Sequence, residues 1–214
     1  MEATDDDTRL IHLVARGYDQ MAERYASWAG AIDDAQRERH VRLLLERLPE
    51  GASVLELGCG GGDPTTLILA DRFALTGVDV SATQIARARQ AIPGGTFVHA
   101  DVTKLELPAD RFDAVVAFYM LTHIPRRLLP GLLHSVSRWL RPGGLFCGTM
   151  GTADTLDALE PDWLGVPMMF SGYNAMENRQ LIERAGLTIE HAEDHSLDEA
   201  DEAVARFLWV VARR

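Results

Sequence analysis

The chain has no basic run longer than a pair such as Arg126-Arg127, and its 21 Lys and Arg face 32 Asp and Glu, for a formal charge of -11. A surface of that sign repels phosphate backbones, which disfavours a nucleic-acid partner. Cysteine is equally scarce. Cys59 and Cys147 are the only two, and they make no metal-ligand spacing, so reduced thiols of a cytoplasmic protein are expected and no metal site. No apolar run reaches membrane-spanning length, and the opening MEATDDDTR is acidic and polar, unlike a signal peptide, so the expectation is a soluble protein away from membranes. Repeats and low-complexity stretches are absent as well. What remains is 214 residues with 47% hydrophobic content, enough to bury one substantial core in a single α/β domain with at most an extra lobe.

The most informative stretch is residues 53–64, SVLELGCGGGDP. Val54, Leu55 and Leu57 read as a short strand that runs straight into Gly58, Gly60, Gly61 and Gly62. Glycines there permit positive φ and let a ligand approach with no Cβ in the way. Asp63 fits as N-cap and Pro64 as first helical residue. Strand, glycines and helix start in that order bring bare backbone against a ligand at the carboxyl edge of a parallel sheet. A dinucleotide fingerprint needs G-x-G-x-x-G, but counting from Gly58 puts Asp63 at the sixth position. An acid at that mouth repels a pyrophosphate and tolerates a ligand with a cationic centre and no phosphate.

The segment 56–62, ELGCGGG, resembles the E-x-G-x-G-x-G first motif of the class I S-adenosylmethionine-dependent methyltransferases. Further segments resemble the same family in order: Gly77-Val-Asp79-Val80-Ser81, Leu121-Thr-His123-Ile, and Arg141-Pro-Gly-Gly144 before a strand. The resemblance implies a doubly wound, Rossmann-like seven-stranded sheet whose last strand, residues 207–212, inserts antiparallel between strands five and six. It implies S-adenosylmethionine as cofactor and an N-terminal helical lid over residues 1–50, ahead of the methyltransferase domain at 51–214. It also marks cofactor-binding positions: Tyr18, Glu56, Gly58, Cys59, Gly60, Asp79, Val80, Gln84, Asp101, Val102 and Phe118.

The residue types suit these tasks. Asp79 lies about twenty residues past the glycine turn, where a strand-end carboxylate reaches ribose hydroxyls. Asp101 and the backbone of Val102 match the donor and acceptor pair on an adenine edge, although Asp101 also fits a plain turn before Thr103. Leu10, Leu13, Val14, Gly17, Tyr18, Met21, Tyr25 and Trp28 recur at helical spacing. Core packing accounts for Tyr18 and Tyr25 as well as a ligand role does. A second helix carries Val41, Leu44, Leu45 and Leu48, capped by Asp33 or Asp34 and stopped at residues 49–51.

After strand four, residues 112–118, the sequence Phe118-Tyr-Met-Leu121 lacks [DNS]-P-P-Y, which is associated with DNA-base methylation, and no acid follows to hold a divalent metal. A metal-free enzyme acting on a small molecule is the reading left, through methyl transfer to O, N or C. His123 is the candidate base, with helix capping as its plainer role. Residues 152–172 are expected to be irregular, and their apolar side chains fit core filler, a partner surface or a substrate pocket. The pocket is preferred, with Tyr25, His123, Trp163, Met168, Phe170 and Tyr173 as substrate-binding residues. Residues 193–202 read as a solvated connection or short helix, and His191 and His195 as solvated side chains. A monomer or homodimer is expected. Two other readings stay open: cofactor-dependent chemistry other than methyl transfer, and a binding module without turnover.

Overall fold

Five strands run parallel in one sheet: β1 (Ser53–Leu57), β2 (Ala74–Asp79), β3 (Thr96–His99), β4 (Phe112–Ala117) and β5 (Leu140–Gly151), with β3 at its edge. The computed structural model describes residues 4–32, 34–62, 64–197 and 205–214. Strands buried on both faces alternate only in which core they feed. Leu55, Leu57, Val115 and Ala117 enter one cluster with α5 (Leu129–Trp139) and α6 (Ala175–Arg184). Val54, Ala114 and Val116 enter the other, with α2 (Ala35–Arg47) and α3 (Pro64–Arg72). The sheet order β3-β2-β1-β4-β5-β9-β8 gives seven strands, with β9 (Ala205–Arg213) antiparallel between β5 and β8 (Thr188–Leu197). β1 and β4 are neighbours whose connections leave in opposite directions, so the crevice outside their carboxyl ends is the place for a ligand.

Before the sheet, α1 (Asp5–Ala31) starts with a capping box in which Thr4 and Asp7 satisfy each other's backbone N–H groups. Its buried stripe, Ile11, Val14 and Met21, lies across the carboxyl edge of the sheet against β7 (Val166–Gly172) and α4 (Ala82–Ala91). The approach is close, since a Cβ on Gly17 would stand 2.7 Å from Met168 Cε and 3.4 Å from the Pro167 carbonyl. Two side chains fasten this helix. Arg127 Nε donates to the Asp7 carboxylate at 2.8 Å, with a second, shorter contact from Nη2. Asp19 Oδ1 accepts from the Ser81 hydroxyl at 2.6 Å and from Thr83 N–H at 2.9 Å, which adds it to the N-terminal cap of α4.

Three local expectations need correction. Residues 152–172 are not irregular: β6 (Thr155–Trp163) and β7 form an antiparallel hairpin beside the main sheet. Its two-residue turn, Leu164-Gly165, has φ of 51° and 81°, the pattern of a type I′ connection. Leucine there hides the turn, because Asn or Asp is the usual occupant. Residues 193–197 belong to β8 and not to a solvated connection; 198–202 lie outside the described residues, as do Asp33 and Asp63 with their expected capping roles. A 3-10 turn, Arg126–Leu128, leads into α5. Residues 141–144, expected before a strand, are drawn into β5, whose register to β4 shifts there, with Gly143 at φ 81°. Asp34 caps α2 by accepting from Arg37 N–H at 2.9 Å. Among the described residues no helix is long and apolar enough to cross a membrane.

Candidate active site

The glycine turn is shaped by what surrounds it. Gly58, Gly60 and Gly62 all have positive φ, and a Cβ on Gly58 would stand 2.5 Å from Met120 Cβ, so only glycine fits. Gly58 and Cys59 N–H groups both donate to the Val78 carbonyl, at 2.8 and 3.1 Å, which pins the turn to the end of β2. There Asp79 holds two further backbone N–H groups: Gly60 N donates to Oδ2 at 3.0 Å and Ser81 N to Oδ1 at 2.8 Å. Burial pushes the Asp79 carboxyl above its usual range; the two N–H bonds oppose that, and the nearby Asp19 adds to it. Asp101 Oδ1 accepts from Thr103 N–H and hydroxyl at 2.9 and 2.7 Å. Its buried Oδ2 has no hydrogen bond, with the Lys104 ammonium 3.7 Å away.

These groups line one cleft at the carboxyl edge of the sheet. Tyr18, Gly58, Gly60, Asp79, Val80, Gln84, Asp101, Val102 and Phe118 all face it. Glu56 and Cys59 do not. Glu56 is buried on β1, and Cys59 packs in a satellite core with Ile85, Ala88 and Phe97. Ile11, Val14, Tyr119 and Met120 also line the cleft, though nothing in the sequence reading marked them for it.

The residues present fit an adenosyl sulfonium ligand. The orphaned Asp101 Oδ2 calls for a donor such as an adenine amino group, Asp79 retains acceptor capacity at the strand end, and the turn leaves bare backbone between them.

A second cavity adjoins the first and shares Tyr18, Tyr25, Tyr119 and His123 with it. Trp163 joins Tyr18, Tyr25, Trp28, His123 and Phe170 into one aromatic wall, with ring centroids 5.4–6.1 Å from its own. Phe207 and Tyr119, packed edge to face at 4.8 Å, form the opposite side. At the cavity's rim Asp34 accepts from the Tyr119 hydroxyl at 2.6 Å and from Arg37 Nε at 3.0 Å. Tyr119 sits at φ 58°, an uncommon conformation for a bulky residue, held by Thr149 Oγ1, which accepts from its N–H at 2.5 Å.

Of the six residues expected to meet substrate, Tyr25, His123, Trp163 and Phe170 line this second cavity. Met168 and Tyr173 do not. Met168 is fully buried with Val14, Met21 and Met169 under α1, because β7 turns it inward. Tyr173 lies beneath the Arg126 guanidinium, 4.1 Å from ring centroid to charge. Trp28, Asp34, Arg37 and Phe207 also line it.

His123 joins the two cavities. Its Nδ1 is 2.9 Å from the Met169 carbonyl, which can only accept, so Nδ1 carries the proton and Nε2 the lone pair. Tyr18 Oη, 3.0 Å from Nε2, therefore donates to it. Burial lowers the imidazole pKa to about 4, against the opposing bond to Met169. Burial raises the Tyr18 phenol well above its ordinary range, with Tyr25 and Asp79 adding to the shift. Both groups are neutral near pH 7. His191 and His195, on β8, both flank Glu193, at 3.3 and 3.0 Å.

A methyltransferase-domain family model matches residues 54–144, from β1 into β5. The chain is 30% identical over 209 residues to the 27-O-demethylrifamycin SV methyltransferase of Amycolatopsis mediterranei (strain S699), covering 86% of this chain and 76% of that one. It is 38% identical over 116 residues to the trans-aconitate 2-methyltransferase of Azoarcus sp. (strain BH72), covering 51% of this chain and 44% of the relative's length. The chain thus spans less than half of that relative. Among solved structures, the 1,6-didemethyltoxoflavin-N1-methyltransferase of Burkholderia thailandensis, with bound 1,6-didemethyltoxoflavin and S-adenosylhomocysteine, superposes with a TM-score of 0.71 at 19% identity, over 100% of this chain and 92% of that one. The fold, the glycine turn with its strand-end acid, and the relative matched along most of both chains place this protein in the class I S-adenosylmethionine-dependent methyltransferase family.

Proposed function

We propose that the protein transfers a methyl group from S-adenosylmethionine to an oxygen, nitrogen or carbon atom of a small hydrophobic or aromatic metabolite. The observation that carries this reading is the shared lining: Tyr18, Tyr25, Tyr119 and His123 belong both to the cleft at the glycine turn and to the aromatic cavity. A methyl donor in one and an acceptor in the other meet at those four side chains.

The cofactor supplies an electrophilic methyl group on a sulfonium with a good leaving group. The protein's tasks are then binding, alignment and exclusion of water. Asp79 holds ribose hydroxyls, Asp101 Oδ2 accepts from the adenine amino group, and Val102 N–H serves the ring. The backbone at Gly58 and Gly60 lines the methionyl end. Residues 1–50 act as a lid, with α1 fastened by Asp7 to Arg127 and by Asp19 to the start of α4. Trp163 and Phe170 bind the acceptor between aromatic faces. The relatives' printed activities, on a rifamycin oxygen and on trans-aconitate, agree with a small-molecule acceptor. Incubation with methyl-labelled cofactor and a panel of phenols, amines and carboxylic acids tests the reading. Label in any product, with S-adenosylhomocysteine formed in equal amount, supports it, and cofactor binding without transfer to any class refutes it.

A further inference from the structure

The donor set around His123 separates it from the acceptor. Its Nδ1–H is spent on the Met169 carbonyl, its Nε2 is taken by the Tyr18 hydroxyl, and the ring is 8% exposed. A proton leaving the acceptor reaches this imidazole only through Tyr18, whose side chain faces both cavities. The four side chains at the junction are tyrosines and a buried imidazole, with no fixed charge among them. A hydroxyl on a planar ring meets both the polar tyrosine oxygens and the aromatic walls. Asp34 and Arg37, the charged pair on the cavity lining, are engaged with each other.

We propose, on the basis of the methyl-transfer reading above, that the acceptor is a phenol-type hydroxyl and that Tyr18 relays its proton to His123. As the bond from acceptor oxygen to methyl carbon forms and the carbon–sulfur bond breaks, the acceptor O–H proton moves to Tyr18 Oη. The proton of Tyr18 moves to His123 Nε2. The products are a methyl ether, a neutral thioether and an imidazolium, so the single positive charge passes from sulfur to His123 and nothing else is consumed. The first hop is between two phenols of similar acidity, about pKa 10 each before environmental shifts, and so needs little driving force. The second is drawn by the methylated oxygen, which sheds its proton readily even to a weak base. His123 thereby acts through Tyr18 as a positioning and proton-holding group, and Tyr18 is the residue that touches the acceptor.

The test uses the full chain, 4-ethylphenol and 4-nitrophenol as acceptors, and labelled cofactor. Wild type methylates both. Tyr18→Phe and His123→Ala each lower turnover of 4-ethylphenol about 100-fold, the size of one positioned proton-transfer group, and the double variant is no slower than the slower single. With 4-nitrophenol, which ionises near neutrality unaided, the loss in each variant shrinks below about tenfold. In the protein without acceptor, nitrogen NMR of labelled histidine shows His123 as the Nδ1–H tautomer, and Tyr18→Phe shifts its Nε2 signal while leaving Nδ1 in place. Multiplicative losses in the double variant, equal losses with both phenols, or methylation confined to amines or carboxylates overturns the relay. Calorimetry with S-adenosylhomocysteine separates the two levels: binding with none of these relay signatures refutes the inference alone, and no binding refutes the methyl-transfer reading with it.

Discussion

The Asp79 carboxylate and the Gly60 N–H meet at 3.0 Å, so the acid at the end of β2 holds the glycine turn that ends β1. One oxygen braces the turn and the other braces the start of α4 through Ser81 N–H at 2.8 Å. The acid proposed to hold ribose is thus also a fastener of the loop beside it.

Asp79→Ala is therefore expected to weaken S-adenosylhomocysteine binding by more than tenfold, from loss of charged hydrogen bonds of about 1.5 to 3 kcal/mol each. Calorimetry on the variant and wild type reads this directly. An unchanged dissociation constant would remove Asp79 from the site.

His123 makes stability depend on pH in a definite direction. Its folded pKa, about 4, is below the ordinary 6.5, so between those values the unfolded chain binds more protons than the folded one. The contribution is fully present above pH 6.5 and is lost as the pH falls towards 4. Its size is on the order of 3 kcal/mol for a fully buried ring. Urea unfolding of wild type and His123→Asn at several pH values isolates it. The difference between the two proteins should fall with acid over that window and stay flat between pH 7 and 9.

Asp7 is 3% exposed, and its carboxylate is paired by Arg127 from the segment before α5. Removing the guanidinium leaves a buried charge without its ion partner, so Arg127→Ala should cost about 3 to 5 kcal/mol. Replacing both, Asp7→Leu with Arg127→Leu, should cost much less, because no charge is left buried. Denaturant titrations of the three proteins decide between a pair that merely tolerates burial and one that holds α1 in place.

Much of this architecture is legible in the residues. β1, β2 and β4 are short apolar runs because parallel strands are buried on both faces, and Asp79 is legible from its distance to the glycine turn. The β6–β7 hairpin is not, since Leu164 occupies a positive-φ turn position and two register shifts, between Thr155 and Ala158 and between Glu160 and Trp163, break the two-residue alternation. Tyr119 at φ 58° carries no local signature either. The contact of Asp7 with Arg127 joins residues 120 apart, beyond any pattern in a window of sequence.

The hairpin also separates two residues that the sequence placed in one pocket. Trp163 ends β6 with its ring against Tyr25, Trp28 and Phe170, facing the aromatic cavity, and is only partly buried. Met168, five residues on and across the turn, is completely buried between β7 and α1, with its methyl group at the closest approach to Gly17. Truncating each should therefore fail differently. Trp163→Ala removes a cavity wall that solvent already reaches, so the acceptor's KM should rise about tenfold or more while the melting temperature changes little. Met168→Ala opens a void where neighbours cannot collapse freely, which costs about 2 to 5 kcal/mol and lowers the melting temperature by several degrees with a small effect on KM. Thermal unfolding and acceptor kinetics on both variants check the pair together. If Trp163→Ala instead loses stability with unaltered KM, the aromatic wall is core and the acceptor binds elsewhere.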